Sequence, residues 1–429
     1  MALIVQKFGG TSVANIERIK AVAQIVKKEH DAGNQIAVVV SAMSGITSQL
    51  VDYTKQISKL YTDQELQEYD TILASGEQVT SGLLALELNS LGIKARSFLG
   101  WQAKIQTDKA HSKARIEEID GEYLKSFIDD GYVIVIAGFQ GMTEDNRIST
   151  LGRGGSDTSA VAIAGSLNAD ICDIYTDIDG IYTADPRIAP KARKLNYVGY
   201  EETIEMASLG AKVLQTRSIE MAMKHNITVR VLSAFEDKEG TYLVDDKKIM
   251  ERRLITAVTH CDKEARITLE NVPNIPGVSS AIFKPLANSN INVDMIIQNI
   301  SLDGKVTNLT FTLDENDLPK AQLLLNESKQ NGNIDFGNLI ATGNVSKVSV
   351  IGVGMKTHSG IAYKAFQVLA DNNVNILAIT TSEIKISFLI DVESTALAVQ
   401  KLHDEFNLDK SQVQQDCAPI EKKIKLTSS

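Results

Sequence analysis

The chain has 429 residues and a net charge of −10, with 43% hydrophobic and 23% charged residues. That length exceeds a single core, so two or three domains are expected, and the acidic balance argues against a nucleic-acid partner. Three widely spaced cysteines (Cys172, Cys261, Cys417) form no metal or disulfide pattern, and no signal-peptide core or run of about 18 apolar residues occurs, so a cytoplasmic protein off the membrane is expected.

Apolar strands are expected at 2–7, 35–42, 132–138 and 170–176, with helical patterns at 14–29, 47–60, 64–91 and 112–130. Ile36–Val40 and Val133–Ala137 are apolar on both faces, as interior strands of a doubly covered sheet are. The alternation predicts a three-layer α/β domain whose ligands sit beyond the carboxyl ends of its strands. The loops there carry the chemistry. Lys7-Phe8-Gly9-Gly10-Thr11-Ser12 reads as strand, glycine turn and helix start, with a lysine before the turn. Such a turn either binds phosphate through backbone N–H groups and helix dipole, or is an ordinary connection. It is not a Walker A loop, where the lysine follows the glycines.

Ser41-Ala42-Met43-Ser44-Gly45-Ile46-Thr47 offers hydroxyls to a ligand, or Thr47 caps the next helix. Ala74-Ser75-Gly76-Glu77 places a glycine inside a helix at a cost of about 1 kcal/mol, so something uses the gap. Glu77 there is either solvated or the partner of a substrate ammonium. Gly152–Ala160 is the most basic glycine loop and opens a helix of small residues. Arg153 has the planar fork for a carboxylate, and Asp157 either serves the helix start or orients lysines. Tyr175–Arg187 is rich in Asp, Gly and Pro, and its Asp-x-Asp-Gly lacks the remaining ligands of a calcium loop. Gly210-Ala211-Lys212 is read as heading a helix to about 224, where a lysine opposes the dipole unless an anion sits there.

Together these loops resemble aspartokinase, within the amino-acid kinase family. The matching segments are Lys7–Ser12, Ser41–Thr47, Ala74–Glu77, Gly138-Phe139-Gln140-Gly141, Leu151–Ala160 and Thr176–Arg187. The resemblance implies phosphoryl transfer from MgATP to the β-carboxylate of L-aspartate. It implies that Lys7 and Lys212 stabilise the phosphates and that Asp157 holds the lysines. Arg153, with Gly154, Gly155 and Ser156, would receive the α-carboxylate, Glu77 the ammonium, and Thr47 would line the site. ATP would meet Lys7, Phe8, Gly9, Gly10, Ser41, Tyr175, Thr176, Tyr182, Asp185, Arg187 and Lys212. Mg²⁺ would be held mainly by phosphates and water, with no protein ligand cluster.

A charged stretch, Glu236–Gly240 and Asp245–Lys248, sets the expected boundary near 245. Beyond it the chain repeats. Pro276-Gly277, Leu286-Ala287 and Ile291-Asn292-Val293 recur 83 residues later as Ser359-Gly360, Leu369-Ala370 and Val374-Asn375-Ile376. Each unit reads βαββαβ, which predicts a four-stranded antiparallel sheet with two helices on one face, the last strands falling near 338–341 and 413–416. The pair resembles tandem ACT domains, the amino-acid-sensing modules that follow aspartokinase domains. The expected division is kinase domain 1–245, a connecting strand region 246–264 that the resemblance assigns to the second ACT unit, ACT units at 265–337 and 338–429, and a frayed tail from 421.

By the same resemblance, effectors such as lysine or threonine would meet Asn274, Ile275, Pro276, Gly277 and Val278 with Asn292, Asp294 and Gln298. The second unit would use Met355, Ser359 and Gly360 with Ser382 and Glu383. Asn274-Ile275 stands where related sequences often carry Asp-Lys, which removes one partner for an effector ammonium. A homodimer through the ACT units is expected. The rival readings are another amino-acid kinase acting on glutamate or uridylate, of which Arg153 and Glu77 argue against the nucleotide acceptor, and a non-catalytic amino-acid sensor, disfavoured by Lys7, Asp157 and Lys212.

Overall fold

The computed structural model describes residues 1–211, 213–249, 254–302, 304–356, 358 and 360–410. Among these, contacts divide the chain into two compact units. Residues 1–182 with 194–249 form the first, and residues 183–193 with 254–410 the second.

In the first unit the order is β1 (Leu3–Phe8), α1 (Ile16–Asp31), β2 (Gln35–Val40), α2 (Ile46–Ile57), α3 (Asp63–Ser90) and β3 (Ala95–Phe98). Next come β4 (Ile105–Thr107), β5 (Ile116–Ile119), α4 (Gly121–Asp129), β6 (Val133–Ala137), β7 (Gln140–Met142) and β8 (Ile148–Thr150). The unit closes with α5 (Gly155–Ser166), β9 (Ile171–Thr176), β10 (Tyr197–Gly199), α6 (Tyr200–Ser208), α7 (Thr216–His225), β11 (Val229–Ser233) and β12 (Thr241–Val244). The main sheet runs β10-β12-β11-β9-β1-β2-β6-β3. It is parallel from β11 to β3, and β12 turns antiparallel against β11. The four strands expected from sequence, β1, β2, β6 and β9, lie side by side at its centre.

Burial explains their order. β6 is buried at every residue, and only the first residue of β2 escapes burial. Apolar faces of α1 (Ile19, Val22, Val26) and α3 (Leu84, Leu88) close over one side in a shared core. On the other side α5, made of small residues, lies against β1. A smaller sheet, β5-β4-β7-β8, stands apart. Here the expected helix over 112–130 is corrected. Residues 116–119 pair as a strand with β4, and Asp120 starts the helix by accepting from the Tyr123 N–H at 2.9 Å. A second correction falls at 210–224. Gly210 has φ +110 after α6, and the next helix begins only at Thr216.

In the second unit β13 (Ala257–Pro273) is followed by α8 (Val278–Asn288), β14 (Val293–Ile300), β15 (Val306–Asp314), α9 (Leu318–Gln330) and β16 (Leu339–Ile351). Then come α10 (Ile361–Asp371), β17 (Ala378–Thr381), β18 (Lys385–Asp391) and α11 (Thr395–Glu405). The two expected four-stranded sheets are one six-stranded sheet, β14-β15-β13-β16-β18-β17. The reason is that two long strands serve both halves. Ala257–Cys261 pair with Lys347–Ile351 in the second half, whereas Arg266–Leu269 pair with Leu339–Thr342 in the first. Each half keeps its own helices and core, α8 and α9 around Phe311, α10 and α11 around Phe388. The expected strand at 413–416 and the tail lie outside the described residues.

Two buried ion pairs fix these sheets. Arg230 on β11 grips Asp173 of β9 with both ends, at 2.7 and 2.8 Å, across directly paired positions. Burial alone would push the Arg230 pKa down, but the Asp173 carboxylate reverses this and raises it. In the second sheet the buried Lys347 ammonium meets Glu264 at 2.6 Å and also contacts Asp294. Its pKa, pulled down by burial, is carried above the usual lysine value by the two carboxylates. Removing one partner strands a buried charge. Asp173→Ala is therefore expected to destabilise the first unit by about 3–5 kcal/mol. Its urea midpoint, followed by tryptophan fluorescence, should fall accordingly, and an unchanged midpoint would refute the role of this pair.

Candidate active site

The carboxyl ends of β1, β2 and β9 open onto a cleft of about 1350 Å³ within the first unit. Lys7, near the end of β1, points an ammonium to 2.5 Å from Asp157 in the first turn of α5. Strand and helix are thereby joined at the floor of the cleft. A Cβ on Gly9 would stand 3.4 Å from the Lys7 Nζ, and one on Gly10 only 3.1 Å from the Ala42 carbonyl oxygen. The two glycines leave room for a ligand to approach the lysine. The helix behind them begins later than the sequence suggested. α1 starts at Ile16 and is capped by Asn15, which accepts from the Arg18 N–H at 2.9 Å. The helix ends that do reach the cleft are those of α2 and α5. Their caps, Gly45 and Gly154, have left-handed backbones and supply no side-chain acceptor. Their first N–H groups, of Ile46 and Gly155, donate to the Met43 and Gly152 carbonyls at 3.1 and 3.0 Å, and it is the next N–H groups of each first turn that can meet an anion.

Ser41 lines the cleft from the loop after β2 and Thr47 from the first turn of α2, where Gly45, not Thr47, occupies the cap position. That loop is held by α3. A Cβ on Gly76 would sit 2.7 Å from the Ala42 Cβ, so the gap in the helix is filled by the loop. The next residue, Glu77, accepts from the Ala42 N–H at 3.0 Å through one oxygen. Its other oxygen is buried without a hydrogen-bond partner. Burial pushes the Glu77 pKa up to about 7, against the lowering effect of the backbone N–H. Arg153, exposed in the same cleft, makes no hydrogen bond or ion pair among the described residues. Gly154, Gly155 and Ser156 follow it into the lining.

Thr176 lines the cleft as well. Phe8 and Tyr175 do not: their rings stack in the core, 4.6 Å apart, and only the Tyr175 carbonyl reaches this region, accepting from the Gly9 N–H at 3.3 Å. Tyr182 donates to Asp179 at 2.8 Å, away from the lining. Asp185 and Arg187 pair with each other at 2.7 Å in a segment that belongs to the second unit. Lys212 lies outside the described residues. Sequence reasoning passed over Asp70, His111, Thr150 and Arg217. Arg217 donates to the carbonyls of Leu151 at 2.8 Å and Ala114 at 2.6 Å, tying down the base of the Arg153 loop. Asp70 falls on the buried face of α3 with Leu73, Glu77 and Leu84, and a carboxylate in that apolar stripe was the available signal.

In the second unit the two halves repeat their geometry. Gly277 and Gly360 both cap their helices with left-handed backbones, at φ +92 and +94. Asn274 donates to the Gly304 carbonyl at 2.9 Å, next to the exposed Ile275 and Pro276, and Val278 opens α8. Asn292, Asp294 and Gln298 lie along β14 and its lead-in, with Asp294 already facing Lys347. Met355 packs on the second core, the Ser382 N–H donates to the Lys385 carbonyl at 2.9 Å, and Glu383 is exposed. Ser359 lies outside the described residues. No helix among the described residues is long and apolar enough to cross a membrane.

Residues 2–233 match the amino acid kinase family, and residues 267–327 and 348–406 each match an ACT domain. An aspartate kinase of Pseudomonas putida is 48% identical over 411 residues, which is 95% of this chain and 98% of that protein. The structure of E. coli aspartokinase III with aspartate and ADP, described as its R-state, superposes with a TM-score of 0.76 at 26% identity, covering 94% of this chain and 99% of that one. The structure of the same enzyme with lysine and aspartate, its T-state, gives 0.77 at 26% identity over the same shares. Kinase unit, paired ACT units and relatives along nearly the whole length agree, and the chain belongs to the aspartokinase family.

Proposed function

We propose that this chain transfers the γ-phosphoryl group of ATP to the β-carboxylate of L-aspartate, giving 4-phospho-L-aspartate and ADP. The observation that carries this is a pair of unmatched opposite charges in one cleft, the free guanidinium of Arg153 and the open oxygen of Glu77, beside the Lys7–Asp157 pair. An amino acid's carboxylate and ammonium match the first two groups, and a polyphosphate matches the third. A carboxylate is already ionised at neutral pH, so an oxygen of the aspartate side chain attacks phosphorus while the bond to the ADP oxygen breaks, and no base need take a proton. Lys7 neutralises charge on the moving group, and Asp157 holds it there. Mg²⁺ would enter with the nucleotide, held by its phosphates and water, and would neutralise phosphate charge.

Glutamate or uridylate as acceptor is the reading to exclude. An ADP-release assay with L-aspartate, L-glutamate and uridylate should show turnover with aspartate alone. Lys7→Ala is expected to lower kcat about 100-fold or more while aspartate KM changes little. Arg153→Ala should instead raise aspartate KM about 10- to 100-fold and leave ATP KM nearly unchanged. The reverse pattern in either variant overturns its assignment.

Glu77 makes binding pH-dependent. Its raised pKa means that ionisation costs stability as pH climbs through about 7, and that the neutral acid prevails below. An aspartate ammonium needs the ionised form. Aspartate KM should therefore fall as pH rises through about 7, and Glu77→Gln should weaken binding and abolish that dependence. A pH-independent KM in the parent enzyme removes the role.

The ACT pair is proposed to bind lysine or threonine and to bias a homodimer between states of different activity, which requires unequal effector affinity for them. Titrating activity with lysine and threonine, singly and together, should show inhibition by at least one condition. Flat curves throughout would reject control by these amino acids.

A further inference from the structure

The carboxylate of Asp70 is fully buried, lies on α3 two turns before Glu77, and lines no part of the cleft. It accepts from the Ser112 N–H at 3.0 Å, the Thr150 N–H at 3.0 Å and the Thr150 hydroxyl at 2.5 Å, and pairs with His111 Nδ1 at 2.9 Å. Three of these donors are independent of the His111 tautomer.

Every partner borders the Arg153 loop. Thr150 ends β8 three residues before Arg153. The Thr150 carbonyl accepts from the Ala114 N–H at 2.9 Å, and the Ser112 carbonyl packs so close to Gly152 that a Cβ there would stand 3.1 Å away. Both strands of chain at the loop's base thus hang on one side chain of α3. The same helix, about 10 Å further on by its rise per residue, presents Glu77. Guanidinium and glutamate, the two groups assigned to the charged ends of aspartate, are referenced to one rigid element.

We propose that Asp70 is a positioning residue for the amino-acid substrate: through Thr150 and Ser112 it sets where the Arg153 loop leaves the sheet, and so fixes the spacing between the carboxylate clamp and Glu77. It touches neither substrate. The inference rests on the assignment of Arg153 and Glu77 to aspartate. Its signature is a selective loss. Among the described residues Asp70 bonds to none of Lys7, Gly9 and Asp157, the groups of the ATP side, and Asp157 is held separately by Lys7, so a variant of Asp70 should spare the nucleotide.

The test uses the full chain with Asp70→Asn, which turns an amide toward donors that need an acceptor. Thermal melting, KM for both substrates, and calorimetric binding of a non-hydrolysable ATP analogue are measured together. The expected result is an aspartate KM raised about tenfold, with ATP KM and analogue affinity within about twofold. Arg153→Ala placed on top should add little, because both changes disable one unit. Equal losses for both substrates, an unchanged aspartate KM in the folded variant, or full additivity overturns the proposal. Should Asp70→Asn not fold, Thr150→Val removes one of the same donors at constant shape, and a rise in aspartate KM alone is again required. If Arg153→Ala by itself leaves aspartate KM unchanged, the assignment of the clamp has failed. If Arg153→Ala raises it and Asp70→Asn does not, only the positioning role has.

Discussion

The floor of the cleft, proposed above to take the nucleotide, depends on one contact, the Lys7 ammonium against the Asp157 carboxylate at 2.5 Å. A chain with a net charge of −10 repels a polyphosphate at long range, so attraction must come from cations placed at contact distance. An ammonium as buried as that of Lys7 is costly unless paired. Asp157 offsets that cost and gains from the N-terminal dipole of its own helix. The pairing requires α5 to lie close against β1, which is why that helix is built from Gly, Ser, Ala and Thr with few larger side chains.

The same accounting separates two carboxylates on α3. Asp70 has donors for both oxygens and is finished as a structural group. Glu77 has a donor for one oxygen and a buried, open second oxygen, so its ionised form is incomplete without a ligand. Two acids on one buried face thus acquire different tasks from the number of N–H groups around them. The helix bearing them spans 28 residues, and its start is secured by Thr62 and Glu65 in a reciprocal cap. Its stiffness makes it a suitable reference for both.

Much of this was legible because the informative residues sit beside glycines at the ends of doubly apolar strands. β1, β2, β6 and β9 are buried on both faces and lie together, so their sequence pattern needs no knowledge of neighbours. The strands that were missed, such as β4, β7 and β8, have three residues each and are defined by pairing, β7 with β8 across a short turn and β4 with β7 from 36 residues away, rather than by an apolar pattern of their own. Residues 116–119 read as helix for the same reason, since only β4 makes them a strand. At the site, Lys7 and Arg153 announced themselves as cations in glycine loops. Asp70 and Arg217 act on backbone groups brought near by folding, His111 acts on the Asp70 carboxylate, and nothing in the local sequence names those partners.

The second unit shows how sharing strands alters what a repeat can do. β13 and β16 each cross from one ACT half into the other, so neither half can shift its strands without moving the other's. Lys347 sits on β16 and holds Glu264 of β13 and Asp294 of β14 together. Asp294 is among the residues expected to meet an effector, yet the chain's own Lys347 ammonium already occupies it. An incoming amine would compete with a tethered rival whose effective concentration is high. With the Asn274 amide donating to the Gly304 carbonyl, this loop presents polar and backbone groups more than free negative charge. Under the proposed effector role, recognition there would rest on the helix end at Gly277, which suits a carboxylate better than an ammonium.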